Sequence, residues 1–353
     1  MARRAARAAR ADRGRLEARN GLKTKSESRK KSEAKRAGGS APRAPIPLEP
    51  PRAEQRRSRA SVSVVGAGRL GTALARALVA RGYDVRALVA RRAASARRAV
   101  EVSGARSASA LSLARLDELA PTDLLFITTQ DGAVSEVAGR LAALPWARPR
   151  NRVALHVSGA LSSEALATLR ERGFAVGSMH PLAAVSHPEA GAESLSRAFY
   201  CVEGDARAVR AARRVVRDLG GRSFTVPTEA KALYHAAAVM SAGHAVALFD
   251  LAAGLLELCG LTRRHAREVL LPLAQSALDN LARQPPERAL TGTFARGDAS
   301  TVRKHLAALR RAGDDEALAA YALLGSVSLR LARRAGAGDE RLEEITRLLS
   351  TAG

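Results

Sequence analysis

The stretch Ser61-Val62-Ser63-Val64-Val65-Gly66-Ala67-Gly68-Arg69-Leu70-Gly71 constrains this chain more than any other. Five β-favouring or small residues run into G-x-G-x-x-G, and an amphipathic segment follows. That strand–turn–helix context gives the glycine spacing its meaning. Gly66 permits the tight turn, Gly68 lets the backbone approach a pyrophosphate, and Gly71 allows close packing of helix on sheet. The helix start then offers unpaired N–H groups and a positive dipole end to the phosphates. Gly66, Ala67, Gly68, Arg69, Leu70 and Gly71 are therefore the expected cradle of a dinucleotide.

Downstream, Leu70, Leu74, Ala77 and Leu78 form one helical stripe, Gly82 ends it, and residues 83–89 read as a second strand. In such a fold an acid after that strand bonds the ribose 2′-OH, whereas an arginine meets a 2′-phosphate. Here the chain reads Ala90-Arg91-Arg92 with Ser95 close behind and no carboxylate, so NADP is expected rather than NAD. The competing reading makes Arg91 and Arg92 ordinary solvated charges.

A short helix is expected at 111–119 and a strand at 123–129, whose end places Thr129 in the ligand crevice. Asp131 reads as the cap of a helix over 133–144. Strands at 152–157 and 174–179 deliver Ser158 and His180 to the same sheet edge, with Pro181 fixing the turn after His180. A strand at 199–202 and a helix at 206–219 complete the α/β part.

After Pro227 only helical patterns remain: one long helix at 228–258, then helices at 263–283, 301–311, 316–334 and 340–349. The expected organisation is a basic tail over 1–60, a dinucleotide-binding domain over 61–227 and a helical substrate and dimerisation domain over 228–353. Ala232 to Phe249 carries no fixed charge, which raises a membrane span. Its alanine content with His235, Ser241 and His244 favours a buried bundle helix, and no membrane association is expected.

The formal charge of +24 is unevenly spread, since residues 1–60 alone carry a net +13. That segment has almost no large hydrophobes and reads as disordered. An arm touching nucleic acid is one explanation, but no aromatics are interleaved for base stacking. Acids at Asp12, Glu17, Glu27 and Glu33 argue against an organellar targeting segment. The favoured reading is an extension without its own function, so nucleic acid enters only through this tail. Two widely spaced cysteines, Cys201 and Cys259, fit a reduced, cytoplasmic protein and show no metal-ligand spacing.

Lys231, Tyr234 and His235 fall at i, i+3 and i+4, on one helical face. A lysine–histidine pair facing a cleft suits hydride chemistry, which needs a proton donor or cation at the reacting oxygen. A solvated Lys231 and a packed His235 are the plainer alternative. The loop Leu290-Thr291-Gly292-Thr293-Phe294-Ala295-Arg296-Gly297-Asp298 offers Asp298 as a helix cap and Arg296 as an anion ligand.

These motifs, with His156-Val157-Ser158-Gly159-Ala160-Leu161, His180-Pro181-Leu182 and Lys231-Ala232-Leu233-Tyr234-His235, resemble proteins that join a Rossmann-like domain to a C-terminal domain of unknown function. Those proteins are relatives of pyrroline-5-carboxylate reductase, ketopantoate reductase and prephenate dehydrogenase. The resemblance runs from about Ser61 to Leu349. It implies a Rossmann-type sheet followed by an all-helical domain, usually dimeric through the latter. It also implies a nicotinamide-dependent oxidoreductase acting on a small acid with a keto, hydroxy or imine group.

Lys231 matches the catalytic lysine of ketopantoate reductases, with His235 where they carry Asn, and His180-Pro181 is similar to the His-Pro of prephenate dehydrogenases. Gly243-His244 falls where this family often has an Asn. The expected roles are therefore catalytic for Lys231, His235 and His180, cofactor-binding for Thr129 and Ser158, and substrate-binding for Tyr234 and Arg296. A dinucleotide-binding sensor or scaffold without turnover is the alternative.

Overall fold

Eight strands form one sheet: β1 (Ser61–Val65), β2 (Asp84–Ala90), β3 (Ser109–Ser112), β4 (Leu124–Ile127), β5 (Val153–His156), β6 (Ala175–Pro181), β7 (Phe199–Gly204) and β8 (Arg222–Phe224). Their order is β3-β2-β1-β4-β5-β6-β7-β8. Every neighbouring pair is parallel except β6 and β7. The computed structural model describes residues 59–146 and 151–351, so the expectations for the tail ahead of Arg59 lie outside the described residues.

A parallel strand covered on both faces is apolar along its length rather than alternating, and β1, β4 and β5 are buried throughout. Val62, Val64, Phe126 and Leu155 face helices α1 (Arg69–Ala80), α2 (Ala93–Ser103), α5 (Pro188–Arg197) and α6 (Ala206–Leu219). Val65, Ile127 and Ala154 face α3 (Asp131–Ala142) and α4 (Ala167–Glu171). The serines of β1 are satisfied sideways. Ser61 donates through N and Oγ to Asp123 Oδ2 at 2.8 and 2.7 Å, and Thr122 Oγ1 donates to Ser63 Oγ at 3.1 Å.

Three local expectations need correction. An edge strand at Ser109–Ser112, paired with β2, takes the first two residues of the helix expected at 111–119, and a 3-10 helix at Leu113–Glu118 fills most of the rest. Asp131 is the first residue of α3 and its carboxylate makes no capping bond, although a negative charge in the first turn suits the helix dipole. The helix at 188–197 had no counterpart among the patterns read from the sequence. It packs on α1 so closely that a Cβ on Gly191 would lie 3.2 Å from Ala73 Cβ.

Beyond β8 the chain is helical: α7 (Lys231–Ser241), α8 (Gly243–Leu258), α9 (Arg263–Arg283), α10 (Pro286–Ala289), α11 (Ala299–Ala312), α12 (Asp315–Arg334) and α13 (Asp339–Ser350). Both halves belong to one compact unit. Asp298 caps α11 as expected, accepting from the Thr301 amide at 3.0 Å. The single helix expected over 228–258 is interrupted at Ala242, where φ −121° and ψ −65° separate α7 from α8. Ser241 and Gly243 flank the break, the residue pair at which helices without proline bend.

The burial expected of that helix is not found. Helices α11–α13 share a core of Val302, Leu306, Leu329, Leu342 and Ile345. By contrast, α7, α8 and α9 bury only Lys231, Ala253 and Ala266. The segment Thr228–Leu258 is long and apolar enough to cross a membrane by length and composition, with only 6% of its apolar window buried. Asp250 and Glu257, on the same segment, pair with Arg263 of α9.

The glycine turn yields a test of packing. A Cβ on Gly71 would lie 2.4 Å from Thr128 Oγ1 and 2.5 Å from the Gly66 carbonyl oxygen, whereas one on Gly68 would meet nothing nearer than 3.9 Å. Gly71→Ala should therefore cost about 1–3 kcal/mol of stability by overpacking. Gly68→Ala should change it by less than about 0.5 kcal/mol. Urea unfolding of the two variants checks the difference.

Candidate functional site

The site is built at the carboxyl ends of β1, β4, β5 and β6, with α7 held against β6 and the loop after β5. The β1 turn is sewn to its neighbours by backbone bonds. The amides of Gly66 and Ala67 both donate to the Val89 carbonyl at 2.8 Å, and Thr128 Oγ1 donates to the Gly66 carbonyl at 2.7 Å. Gly66 has φ +111°, and a Cβ there would sit 2.6 Å from the Thr128–Thr129 peptide, so only glycine fits on both counts.

Helix α1 begins with Gly68 as a cap that lacks a side-chain hydrogen bond, and its first turn holds no acid. Thr72 is the first residue whose amide bonds back, to the Gly68 carbonyl at 2.9 Å. The amides of Arg69, Leu70 and Gly71 before it are those a helix leaves for an anion. Open space at Gly68 and the buried, unpartnered Thr129 Oγ1 beside Gly66 fit a dinucleotide pyrophosphate and its neighbouring groups. Arg91 and Arg92 are exposed where β2 ends, and Ser95 lies in the first turn of α2, which also lacks acids.

Beyond the cradle, the loop after β5 is held by its own hydrogen bonds. His156 is fully buried; its Nε2–H donates to the Ser162 carbonyl at 2.9 Å and its Nδ1 accepts from the Ser158 amide at 3.2 Å. Burial, the main cause, pulls its pKa down to about 4, so it stays neutral. Ser158 Oγ, expected at the cofactor, accepts from the amides of Ala160 and Leu161 at 3.2 and 3.0 Å.

Lys231 is buried and is not among the residues that line the groove described below. It is 2% exposed, and its Nζ donates to Ser178 Oγ at 2.9 Å and to the Ser158 carbonyl at 3.4 Å. Burial lowers its pKa, offset in part by Cys201 and Glu203. The lysine expected to face the cleft is thus buried, bridging α7 to the end of β5 and to Ser178 of β6.

Tyr234 and His235 lie on the same face of α7 and meet His180. Tyr234 Oη and His180 Nδ1 are 2.6 Å apart. The His180 and His235 rings stand edge to face with centroids 5.5 Å apart. Burial, reinforced by His235 and Lys231, lowers the His180 pKa to about 4, while burial raises that of Tyr234. Both are therefore neutral near pH 7.

His235 does not orient Lys231; its Nδ1 is buried without a partner. Gly159 makes this arrangement possible, because a Cβ there would fall 2.3 Å from His235 Nδ1 and 2.8 Å from the His180 ring. The His156–Leu161 motif includes Gly159, but nothing in the sequence gave the glycine this role.

A groove of about 340 Å³ opens from these rings. Its walls are His180, Pro181, Leu182, Ala183 and Ala184 after β6, and His235, Ala238, Val239, Ser241, Ala242 and Gly243 at the α7–α8 break. Arg296 does not line it. Arg296 is exposed in the loop before α11, where Gly297 packs against Arg341 of α13. The structure thus brings together the glycine cradle, Thr129, Ser158, His180, Tyr234 and His235, and leaves Lys231 beneath them and Arg296 outside the groove.

The sequence matches the model of a Rossmann-like domain over residues 48–181 and that of a domain of unknown function (DUF2520) over residues 198–327. No curated protein matches it. Among solved structures, a Bacteroides fragilis protein provisionally designated an NADP oxidoreductase is similar at TM-score 0.64 and 21% identity, covering 77% of this chain and 99% of its own. The Thermotoga maritima protein TM1727 is similar at TM-score 0.60 and 24% identity, covering 77% and 98%. A 1-pyrroline-5-carboxylate reductase from Streptococcus pyogenes follows at TM-score 0.53 and 15% identity, covering 79% and 98%. At these identities the likeness concerns the fold, a mostly parallel sheet followed by helices. The chain belongs to the proteins that join a Rossmann-like domain to a DUF2520 domain.

Proposed function

We propose that this chain is an NADP-linked oxidoreductase that moves a hydride to or from a keto, hydroxy or imine carbon beside His180. The observation that carries the reading is the His180–Tyr234 pair, neutral and half-buried, at the strand end next to an open glycine cradle. The cofactor supplies the hydride chemistry when bound. The amides that open α1, the space at Gly68 and Thr129 Oγ1 would hold it, with Arg91, Arg92 and Ser95 on the 2′-phosphate. The provisional designation of the Bacteroides fragilis protein points the same way. So does a reductive aminase from Aspergillus terreus in complex with NADPH, similar at TM-score 0.51 and 19% identity over 83% of this chain and 93% of its own.

The residues of the chain supply the proton chemistry. A phenol donates more readily than an imidazole, so Tyr234 gives its hydrogen to His180 Nδ1 and leaves the ring proton on Nε2. In this reading that N–H stabilises charge growing on a carbonyl oxygen or imine nitrogen of a substrate held beside the ring. In the oxidative direction the hydroxyl accepts instead, the proton sits on Nδ1, and Nε2 becomes a base for an alcohol or amine. Lys231 takes no proton-transfer role in this reading. It holds the Ser158 carbonyl and Ser178, and through them the floor under both histidines. Among the described residues no fixed cation lines the groove, so in this reading Arg296 does not serve as the carboxylate anchor expected of it.

The same reading includes a homodimer built on α7–α9. Leu233, Met240, Val246, Leu258, Leu273 and Leu278 are each more than 60% exposed. An apolar face of that extent exceeds what a soluble monomer leaves uncovered, and a standard interface needs roughly 800 Å² from each partner. Charged residues paired at its border, Asp250 and Glu257 with Arg263, favour a second copy over lipid.

Four outcomes are expected. NADPH should bind at least about tenfold more tightly than NADH, and the double variant Arg91→Ala, Arg92→Ala should erase that preference, since hydrogen bonds to a charged group contribute about 1.5–3 kcal/mol. Because His180 protonates only near 4, turnover should be flat from about pH 5 to 8 and fall as the imidazolium forms below that. Tyr234→Phe should lower kcat by about 10²-fold, the lower end of general acid–base contributions. Equilibrium sedimentation should give a dimer, and Leu233→Glu combined with Leu273→Glu should give monomers.

A further inference from the structure

The chain carries 58 lysines and arginines in 353 residues, yet among the described residues no lysine, arginine, aspartate or glutamate lines its groove. The walls are Leu182, Ala183, Ala184, Ala238 and Val239, with His180 and His235 at one end and Ser241 at the other. His180 is itself neutral above about pH 4. Ser241 turns its hydroxyl hydrogen back to the Ala238 carbonyl at 3.1 Å, so it offers the groove an acceptor and no donor. Lys231, which could have balanced an anion, is engaged with Ser178 and Ser158 beneath the floor.

From this we infer that the site selects an uncharged, largely aliphatic ketone, aldehyde or imine, and discriminates against the carboxylate-bearing counterpart of the same skeleton. The inference rests on the oxidoreductase reading above. A carboxylate next to the reacting carbon would leave water for an alkyl-lined groove with no cation to meet it, and that desolvation goes uncompensated. A neutral skeleton loses nothing of the kind and buries its alkyl surface on Leu182, Ala184 and Val239. The α7–α9 face that borders the groove is also alkyl, so a second copy resting on it extends the same lining. The chain as a whole is strongly cationic and would draw anions towards its surface. The selection against them operates at the groove itself.

The reaction balances without a further reagent. A hydride from NADPH adds to the carbonyl or imine carbon as its π bond breaks, the oxygen or nitrogen takes a proton from solvent by way of His180, and NADP⁺ leaves.

The test uses the full chain with NADPH and two matched pairs: 1-pyrroline against 1-pyrroline-5-carboxylate, and ethyl pyruvate against pyruvate. NADPH binding is measured first, by its fluorescence. Its absence would remove the oxidoreductase reading and this inference with it. With NADPH bound, kcat/KM should favour the neutral member by about tenfold or more. Ala238→Arg, which sets a guanidinium on the groove wall, should reverse the preference while NADPH affinity and melting temperature stay unchanged. Equal or better use of the acids by the parent chain, no consumption with any of the four, or an Ala238→Arg variant that folds and binds NADPH without gaining acid preference would overturn the inference and leave cofactor binding standing.

Discussion

One buried amino group joins the two halves of this molecule. Lys231 opens the first helix after the sheet, and its Nζ reaches Ser178 on β6 and the Ser158 carbonyl at the end of β5. Removing a cation from water is costly unless it is paired or hydrogen-bonded, so the helix that follows is held to one position across the strand ends. Tyr234 and His235, three and four residues on, then fall against His180 with no further adjustment. The geometry of the site is thus inherited from a bond made by a residue outside it.

The sheet was readable because its determinants are local. Glycine spacing, continuous apolar strands and the turn at Gly82 act over a few residues, and the structure has strands and helices where they pointed. The helical half was readable as helix but not as surface. Periodicity states that a face is apolar; it does not state whether another layer is present to cover it. For α7–α9 none is present among the described residues, and a stretch rich in alanine and leucine that read as buried is exposed. The break at Ala242 was equally hidden, since Ser241-Ala242-Gly243 lacks the proline that announces a kink.

The site was legible in its parts more than in its roles. His180, Tyr234 and His235 were singled out and do converge. Lys231 was singled out for the right face of the right helix, yet a lysine long enough to reach a cleft is also long enough to reach under it, and only the positions of Ser158 and Ser178 distinguish the two. Arg296 was read from a loop motif whose neighbours turned out to be α13 and the helical core. Apart from His180, His235 and the His180-Pro181-Leu182 motif, the groove had no signal, because Ala184, Ala238 and Val239 are ordinary residues made relevant by where β6 and α7 end.

Gly159 separates two properties that usually fail together. Its backbone is unstrained, and what a methyl group would strike is the edge of two imidazoles that can rotate away, not a packed strand. A methyl there would be absorbed by moving the rings, at the expense of their alignment over the groove. Screens that rank variants by folding or solubility would therefore pass this position as tolerant. A methyl there would leave the sheet, the helices and the glycine turn in place while changing how the two imidazoles meet.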